Sequence, residues 1–118
     1  MIRLAHVNVV VPPGATDEVV PFYELLGLVR VQKPAEGVAQ VGAWFDFPDG
    51  RQVHVSERTG SAHPEQHFAV TVDDLDALVD RLREEGHPWE RKADVLGARR
   101  GMTADPCGNA VELMEQRP

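Results

Sequence analysis

The sequence contains a single cysteine, few basic residues and no long hydrophobic segment, and each shortage excludes a class of protein. Cys107 is the only cysteine among 118 residues, so no internal disulfide can form, and a lone thiol agrees with a reducing compartment. The 12 basic residues against 19 acidic ones give a formal net charge of −7, which argues against nucleic acid as a partner. No apolar run approaches the ~20 residues that a membrane helix needs, and no signal-peptide pattern is present. We therefore expect one cytoplasmic domain that does not bind membranes.

Two stretches of the sequence repeat each other without a gap. Residues 48–57 close the first half of the chain and residues 105–115 end the second half, and the alignment places His54 on Glu112. Each stretch is a turn with a glycine, followed by alternating apolar and polar residues, which is the pattern of a half-buried strand. The alternation puts His54 and Glu112 on the face opposite the apolar side chains.

The order of predicted elements is also the same in both halves: a strand, a helix and three strands. In the first half we predict strands over 4–11, 28–32, 41–47 and 52–56, and a helix over 17–26 that Thr16 caps and Pro21 disturbs. In the second half we predict strands over 66–72, 88–92, 98–104 and 110–115, and a helix that follows Asp73 or Asp74 and continues to Glu85. The sequence thus predicts an α+β fold of two tandem βαβββ modules, 1–58 and 65–118, whose mixed sheets form a cup around a shared cavity with the helices outside.

Four side chains that can bind metal occupy equivalent strands of the two modules. His6 and His67 lie on the first strands, and His54 and Glu112 lie on the last strands. Each is on the face opposite the apolar residues of its strand, so all four are expected to face the cavity. Three imidazoles and one carboxylate suit a divalent first-row ion such as Zn, Ni, Co, Mn or Fe. Glu57 shares the face of the apolar residues and is a weaker candidate.

The repeat and its motifs resemble the vicinal oxygen chelate superfamily, which includes glyoxalase I, extradiol dioxygenases and bleomycin-binding proteins. The segments that carry the resemblance are 4–9, 22–27, 66–74 and 105–113. The resemblance spans the whole chain and implies that a divalent metal is bound by His6, His54, His67 and Glu112. It also implies a small-molecule substrate whose two adjacent oxygens chelate the metal, and a homodimer.

Three activities are compatible with this resemblance. The first is a metal-dependent lyase, isomerase or epimerase similar to glyoxalase I, with an enolate-like intermediate; because glyoxalase I has a carboxylate where this chain has His54, Glu112 would be the catalytic base. The second is a ring-cleaving dioxygenase of the extradiol type, for which the resemblance implies a triad of two histidines and one carboxylate, His6, His67 and Glu112 without His54. Such enzymes usually place an extra histidine and tyrosine beside the substrate, whereas the only tyrosine here, Tyr23, lies on a helix in a packing motif. The third is a drug-binding protein of the bleomycin-resistance type without catalysis, for which the acidic balance would suit a cationic ligand.

Further side chains are expected to line the cavity and contact the substrate. For the strand 98–104 we place Met102 and Ala104 in the core, so that Arg99 faces the cavity and can bind a substrate carboxylate. The residues predicted to bind substrate are Asn8, Trp44, Arg99 and Thr103.

Overall fold

Each half of the chain forms one helix and one four-stranded sheet in the computed structural model, which describes residues 1–115. The first unit, Met1–Ala62, contains β1 (His6–Val11), α1 (Thr16–Leu25), β2 (Val29–Val31), β3 (Ala43–Asp46) and β4 (Gln52–Glu57). The second unit, His63–Pro118, contains β5 (His67–Val72), α2 (Leu75–Glu84), β6 (Glu90–Val95), β7 (Ala98–Ala104) and β8 (Ala110–Glu115). The predicted α+β fold of two βαβββ modules is confirmed, while the predicted end of the second module at residue 118 lies outside the described residues.

The two sheets have the same topology. The strand order is β1-β4-β3-β2 in the first unit and β5-β8-β7-β6 in the second. In each sheet the first strand of the unit runs parallel to the last, and the other pairs are antiparallel. The parallel pairing sets Asn8 opposite His54 and Ala69 opposite Glu112. Residues of the opening and closing strands are therefore neighbours on one face of each sheet.

Apolar side chains on the other face of each sheet form the cores. The buried hydrophobic residues of the first unit are Val9, Val11, Val19, Phe22, Tyr23, Leu28, Ala43, Phe45, Val53 and Val55. The buried apolar residues of the second unit are Leu75, Leu78, Val79, Leu82, Val111 and Leu113 on α2 and β8, together with Ala98, which begins β7 in the alternation of Arg100 and Met102. Burying each large apolar side chain is worth about 1.5–3 kcal/mol, so this face fixes the orientation of its strand. No helix among the described residues is long and apolar enough to cross a membrane.

The helix termini differ from the prediction in the first unit and agree with it in the second. Thr16 is the first residue of α1 and not its cap, because Ala15 occupies the cap position and offers no side-chain bond. Pro21 lies within α1, which nevertheless begins at Thr16. In α2 the Asp74 carboxylate accepts a hydrogen bond of 3.0 Å from the amide of Ala77, as an N-cap does.

Two predicted strands differ most from the structure in their bounds. The predicted strand 88–92 begins later, as β6 over Glu90–Val95, and its pairing with β7 is interrupted by a register shift between Lys92 and Val95. The predicted strand 41–47 shortens to β3 because Gly42 has φ +88°, outside the extended conformation. A Cβ at Gly42 would also lie 2.1 Å from the carbonyl oxygen of Val55, so only glycine fits there.

Glu57 connects the end of β4 to the start of α1. Its carboxylate accepts hydrogen bonds from the Gly14 amide at 2.8 Å and from the Thr16 hydroxyl at 2.6 Å. The bond from Gly14, followed by the bond from Thr16, lowers the pKa of Glu57 from its ordinary value of 4.5. Glu57 is therefore a structural residue, in agreement with its position on the apolar face.

We expect Glu57→Gln to lower the melting temperature at neutral pH, because the charged acceptor for Gly14 and Thr16 is lost. A carboxylate with a lowered pKa stabilises the folded state above its unfolded pKa, and this stability disappears as the pH falls through the folded pKa. The difference in melting temperature between the native protein and the variant should therefore shrink between about pH 7 and pH 3. Thermal denaturation measured across this range tests it, and Glu24→Gln, an exposed acid with the same change of charge, is the control. A difference that is constant with pH would contradict the assignment.

Candidate functional site

Three rings lie in one stack on the polar face of the first unit. The ring of His54 on β4 lies 3.9 Å from that of His6 at an interplanar angle of 15°, and 4.0 Å from that of Trp44 at 3°. Since β4 lies between β1 and β3, the two neighbouring rings reach His54 from opposite sides. The structure thus brings together the two histidines predicted in this unit and adds Trp44 to them.

The edge of the His54 ring is held by a chain of hydrogen bonds. The Nε2 atom of His54 lies 2.8 Å from Oε1 of Gln52, and the Gln52 amide nitrogen donates to Asp46 Oδ1 at 2.7 Å. Burial is the main cause that lowers the pKa of His54 from 6.5, and the charges of His6 and Lys33 add to the effect. The neutral imidazole, which is the metal-binding form, is therefore favoured.

Asn8 lies on the same face, as predicted, and its side chain is already engaged. Its Oδ1 accepts a hydrogen bond of 2.7 Å from the hydroxyl of Ser56, which is on the neighbouring strand β4. Asn8 is also the register partner of His54. Asn8 and Trp44 therefore border the histidine pair, and their predicted contact with substrate stays a prediction.

The second unit brings His67 and Glu112 together. Nε2 of His67 lies 3.3 Å from Oε1 of Glu112, and Nδ1 of His67 lies 3.0 Å from the carbonyl oxygen of Glu65. A carbonyl only accepts, so Nδ1 carries a proton and Nε2 is directed at the carboxylate. The other carboxylate oxygen of Glu112 lies 3.4 Å from Nη1 of Arg100. Glu112 is thus the middle member of a His67–Glu112–Arg100 row.

The predicted orientation of β7 is wrong. Thr103 is opposite Val111 and Gly101 is opposite Leu113, so these residues lie on the core face of the sheet, and Met102 lies opposite Glu112 on the polar face. Thr103 is accordingly buried, with 3% of its surface exposed. The register of β8, which the alternation of β7 alone does not reveal, decides the orientation.

Arg99 follows the same correction and does not lie on the face of Glu112. Its guanidinium binds Glu115 at 2.7 Å and Asp76 of α2 at 3.1 Å, and the two carboxylates raise its pKa. Arg99 therefore ties β7 and β8 to α2. With Thr103 in the core and Arg99 in this ion-pair network, neither supports a role in substrate binding.

Arg100 is the residue of this face that the sequence analysis missed. It is the register partner of Met114, on the same face as Glu112, and 24% of its side chain is exposed. The structure gives the reason at Gly101, where a Cβ would lie 2.5 Å from the ring of Trp89 and from the carbonyl oxygen of Glu90. A glycine covered so closely by an aromatic ring belongs to the packed face, which leaves Arg100 on the polar one.

Each unit carries two of the four predicted ligands on its polar face, and imidazole nitrogen and carboxylate oxygen are donor types that a divalent first-row ion accepts. In the second unit His67 Nε2 lies 3.3 Å from Glu112 Oε1, a contact that is favourable when a proton or a metal ion lies between the two atoms. In the first unit the rings of His6 and His54 are stacked face to face, with their centroids 3.9 Å apart. Among residues 1–115, no group of three or more His, Cys, Asp or Glu side chains is arranged so that it could hold a metal ion.

Comparisons with known proteins place these observations in a family. Residues 3–113 match the model of the Glyoxalase/Bleomycin resistance protein/Dioxygenase superfamily. A protein from Bacillus anthracis described as a glyoxalase family member is 26% identical, with a TM-score of 0.88 over 99% of this chain and 97% of that one. No curated protein sequence matches this chain significantly.

Two further solved structures share the fold at lower identity. One is a variant of the fosfomycin resistance protein FosX from Listeria monocytogenes in complex with Mn(II) and 1S,2S-dihydroxypropylphosphonic acid, 16% identical, with a TM-score of 0.81 over 99% of this chain and 95% of that one. The other is TnmS3, an antibiotic binding protein from Streptomyces sp. CB03234, 20% identical, with a TM-score of 0.74 over 99% of this chain and 98% of that one.

The stack of Trp44 on His54 should make tryptophan fluorescence report the charge of His54. In the metal-free Trp89→Phe protein, Trp44 is the remaining tryptophan, and protonation of the ring stacked on it should quench its emission. Because burial lowers the pKa of His54, the quenching midpoint should lie below 6.5. A fluorescence titration tests this, and His54→Gln should abolish the transition. A midpoint above 6.5 would contradict the effect of burial.

Proposed function

The chain belongs to the Glyoxalase/Bleomycin resistance protein/Dioxygenase superfamily, and from that premise we propose that it is a metal-dependent lyase, isomerase or epimerase. Its substrate is a small molecule with two adjacent oxygens. The ion is divalent, and its ligands are His6, His54, His67 and Glu112. The enzyme is a cytoplasmic homodimer.

The observation that carries this proposal is the contact between His67 and Glu112 on the polar face of the second unit. Only 13% of the Glu112 side chain is exposed, and both of its oxygens face groups that can be cationic. A carboxylate is kept in such a place at a cost in desolvation, which its partners or a bound ion must offset. The repeat-equivalent position in the first unit holds His54 beside His6, so the ligand types recur at matching positions.

Glu112 is the proposed base. When bound, the metal supplies Lewis-acid polarisation of the substrate oxygens, which makes a neighbouring carbon acid easier to deprotonate. A carboxylate oxygen of Glu112 removes that proton and returns it to the adjacent carbon, so that the product is an isomer and no atoms are lost. Arg100, on the same face, lies 3.4 Å from the second oxygen of Glu112, a long contact that orients the carboxylate without fixing it.

A ring-cleaving dioxygenase is the less favoured alternative, because of the position of Tyr23. This tyrosine is fully buried in the first unit, where its ring contacts Phe22 at 5.0 Å and Phe45 at 5.5 Å. It is a core residue and is not placed to assist a catechol. Isomerisation of a hemithioacetal by the protein loaded with Ni²⁺ or Zn²⁺ would support our proposal. Oxygen consumption with a catechol and Fe²⁺ would instead support the dioxygenase.

Drug binding without catalysis is the second candidate function. The stack of His6, His54 and Trp44 offers aromatic surface to a planar ligand, and TnmS3, a structural neighbour, is an antibiotic binding protein. Under this alternative the four proposed ligands would not be needed to hold a metal. The metal content of the protein therefore separates the two functions.

We expect the purified protein to bind about one divalent ion per chain. His67→Ala and His54→Ala should each weaken metal binding by ~100-fold or more, because losing a ligand costs at least as much affinity as losing a residue that only orients a ligand. Native mass spectrometry measures the ions and the chains per assembly, and so also tests the homodimer. His63→Ala is the control, since His63 is exposed in the segment between β4 and β5. Full metal content in both ligand variants would favour drug binding, and a loss in only one would assign the ion to one unit.

Replacement of the base should remove activity without removing the fold. We expect Glu112→Gln to lower kcat for isomerisation by about 10²-fold or more, because the amide cannot accept the proton. Glu115→Gln is the matched control on the same strand, since Glu115 faces Arg99 and α2. Steady-state kinetics on the metal-loaded proteins measures both. Equal losses in the two variants would show that Glu112 has no special role.

A further inference from the structure

We propose that Asp46 and Gln52 are positioning residues that hold His54 as the Nε2–H tautomer and leave Nδ1 as its metal-binding nitrogen. The inference deepens the proposed function and rests on it for the role of the ion. The tautomer itself is a property of the metal-free protein. It can therefore be tested whether or not the protein is an enzyme.

The direction of these hydrogen bonds follows from the Asp46 carboxylate, which cannot donate. A carboxylate at Asp46 only accepts, so the Gln52 side chain must place its NH₂ group toward Asp46 Oδ1, at 2.7 Å. That orientation turns Gln52 Oε1 toward His54 Nε2, at 2.8 Å. An amide oxygen also only accepts, and Nε2 of His54 must therefore carry the proton. In the neutral ring the free lone pair is then on Nδ1.

The stack and the hydrogen-bond chain restrict different motions of His54. The rings of His6 and Trp44 lie nearly parallel to the imidazole on its two sides, which fixes the plane of the ring. The bond to Gln52 fixes the rotation of the ring within that plane. Together they fix the ring in one orientation and leave Nδ1 as the nitrogen whose lone pair the relay does not use. Such support around a metal-binding histidine commonly changes metal affinity 10–100-fold.

The second unit makes the opposite choice. Nδ1 of His67 donates to the carbonyl oxygen of Glu65 at 3.0 Å, so Nε2 is the nitrogen directed at Glu112. The two units thus present different ring nitrogens, even though the sequence repeat suggests equivalent strands. The difference arises because His54 is held by a side-chain relay along β4 and β3, whereas His67 is held by the backbone that precedes β5.

Nitrogen chemical shifts of the imidazoles provide the test. In metal-free protein labelled with ¹⁵N, at a pH where the rings are neutral, long-range ¹H–¹⁵N correlation spectra should show Nε2 protonated in His54 and Nδ1 protonated in His67. In Asp46→Asn the amide of residue 46 can donate, so Gln52 can turn over and His54 should become a mixture of tautomers. Asp49→Asn is the matched control, because it makes the same change of charge in an exposed turn and should leave His54 unchanged.

A second variant relates the tautomer to the metal. Gln52→Met keeps the length of the side chain but removes its acceptor, and it should release the tautomer preference and weaken Zn²⁺ binding by about 10–100-fold, measured by calorimetry. Ser56→Ala, on the same face but outside the relay, should change neither. An Nδ1–H form of His54 in the native protein, or an unchanged tautomer in both relay variants, would overturn the proposal. The native tautomer with no Zn²⁺ binding would leave the positioning intact and refute the proposed function.

Discussion

The alternation of side chains across each sheet is the constraint on which the rest of the structure depends. Val53 and Val55 are buried in the first unit, and His54 between them must emerge on the opposite face. The same rule applied to β8 places Glu112 opposite its buried neighbours. A slip of one residue would bury an imidazole or a carboxylate without partners, at a cost of about 1–3 kcal/mol or more. The core therefore determines where the polar groups lie.

This rule explains which parts of the site could be predicted from the sequence. On β1, β4 and β8 the apolar and polar residues alternate clearly, so the faces of His6, His54 and Glu112 were predicted correctly. On β7 the composition is misleading, because the charged Arg99 lies on the core side at the end of the sheet, where Glu115 and Asp76 receive it. Met102, although apolar, lies on the polar face. Only the pairing with β8 resolves such a strand.

The sequence repeat does not predict the hydrogen-bond partners of equivalent residues. Glu57 and Glu115 occupy equivalent positions at the ends of β4 and β8, and both lie on the face that packs against a helix. Glu57 accepts hydrogen bonds from the Gly14 amide, which precedes α1, and from the Thr16 hydroxyl at the start of α1. Glu115 instead binds the guanidinium of Arg99. The duplicated carboxylate thus fastens a strand in both units but uses different partners. Loops and neighbouring strands supply those partners, and their sequences have diverged.

The two polar faces also differ in how tightly their site residues are held. In the first unit the bonds that fix His54 are 2.7 and 2.8 Å long, and rings cover both of its sides. In the second unit Glu112 lies 3.3 Å from His67 and 3.4 Å from Arg100, longer than the ~2.7–2.9 Å of strong charge-assisted bonds. A tightly held imidazole suits a ligand whose geometry must not change. A carboxylate in loose contact with its neighbours can move toward a substrate proton, which agrees with the different roles proposed for His54 and Glu112.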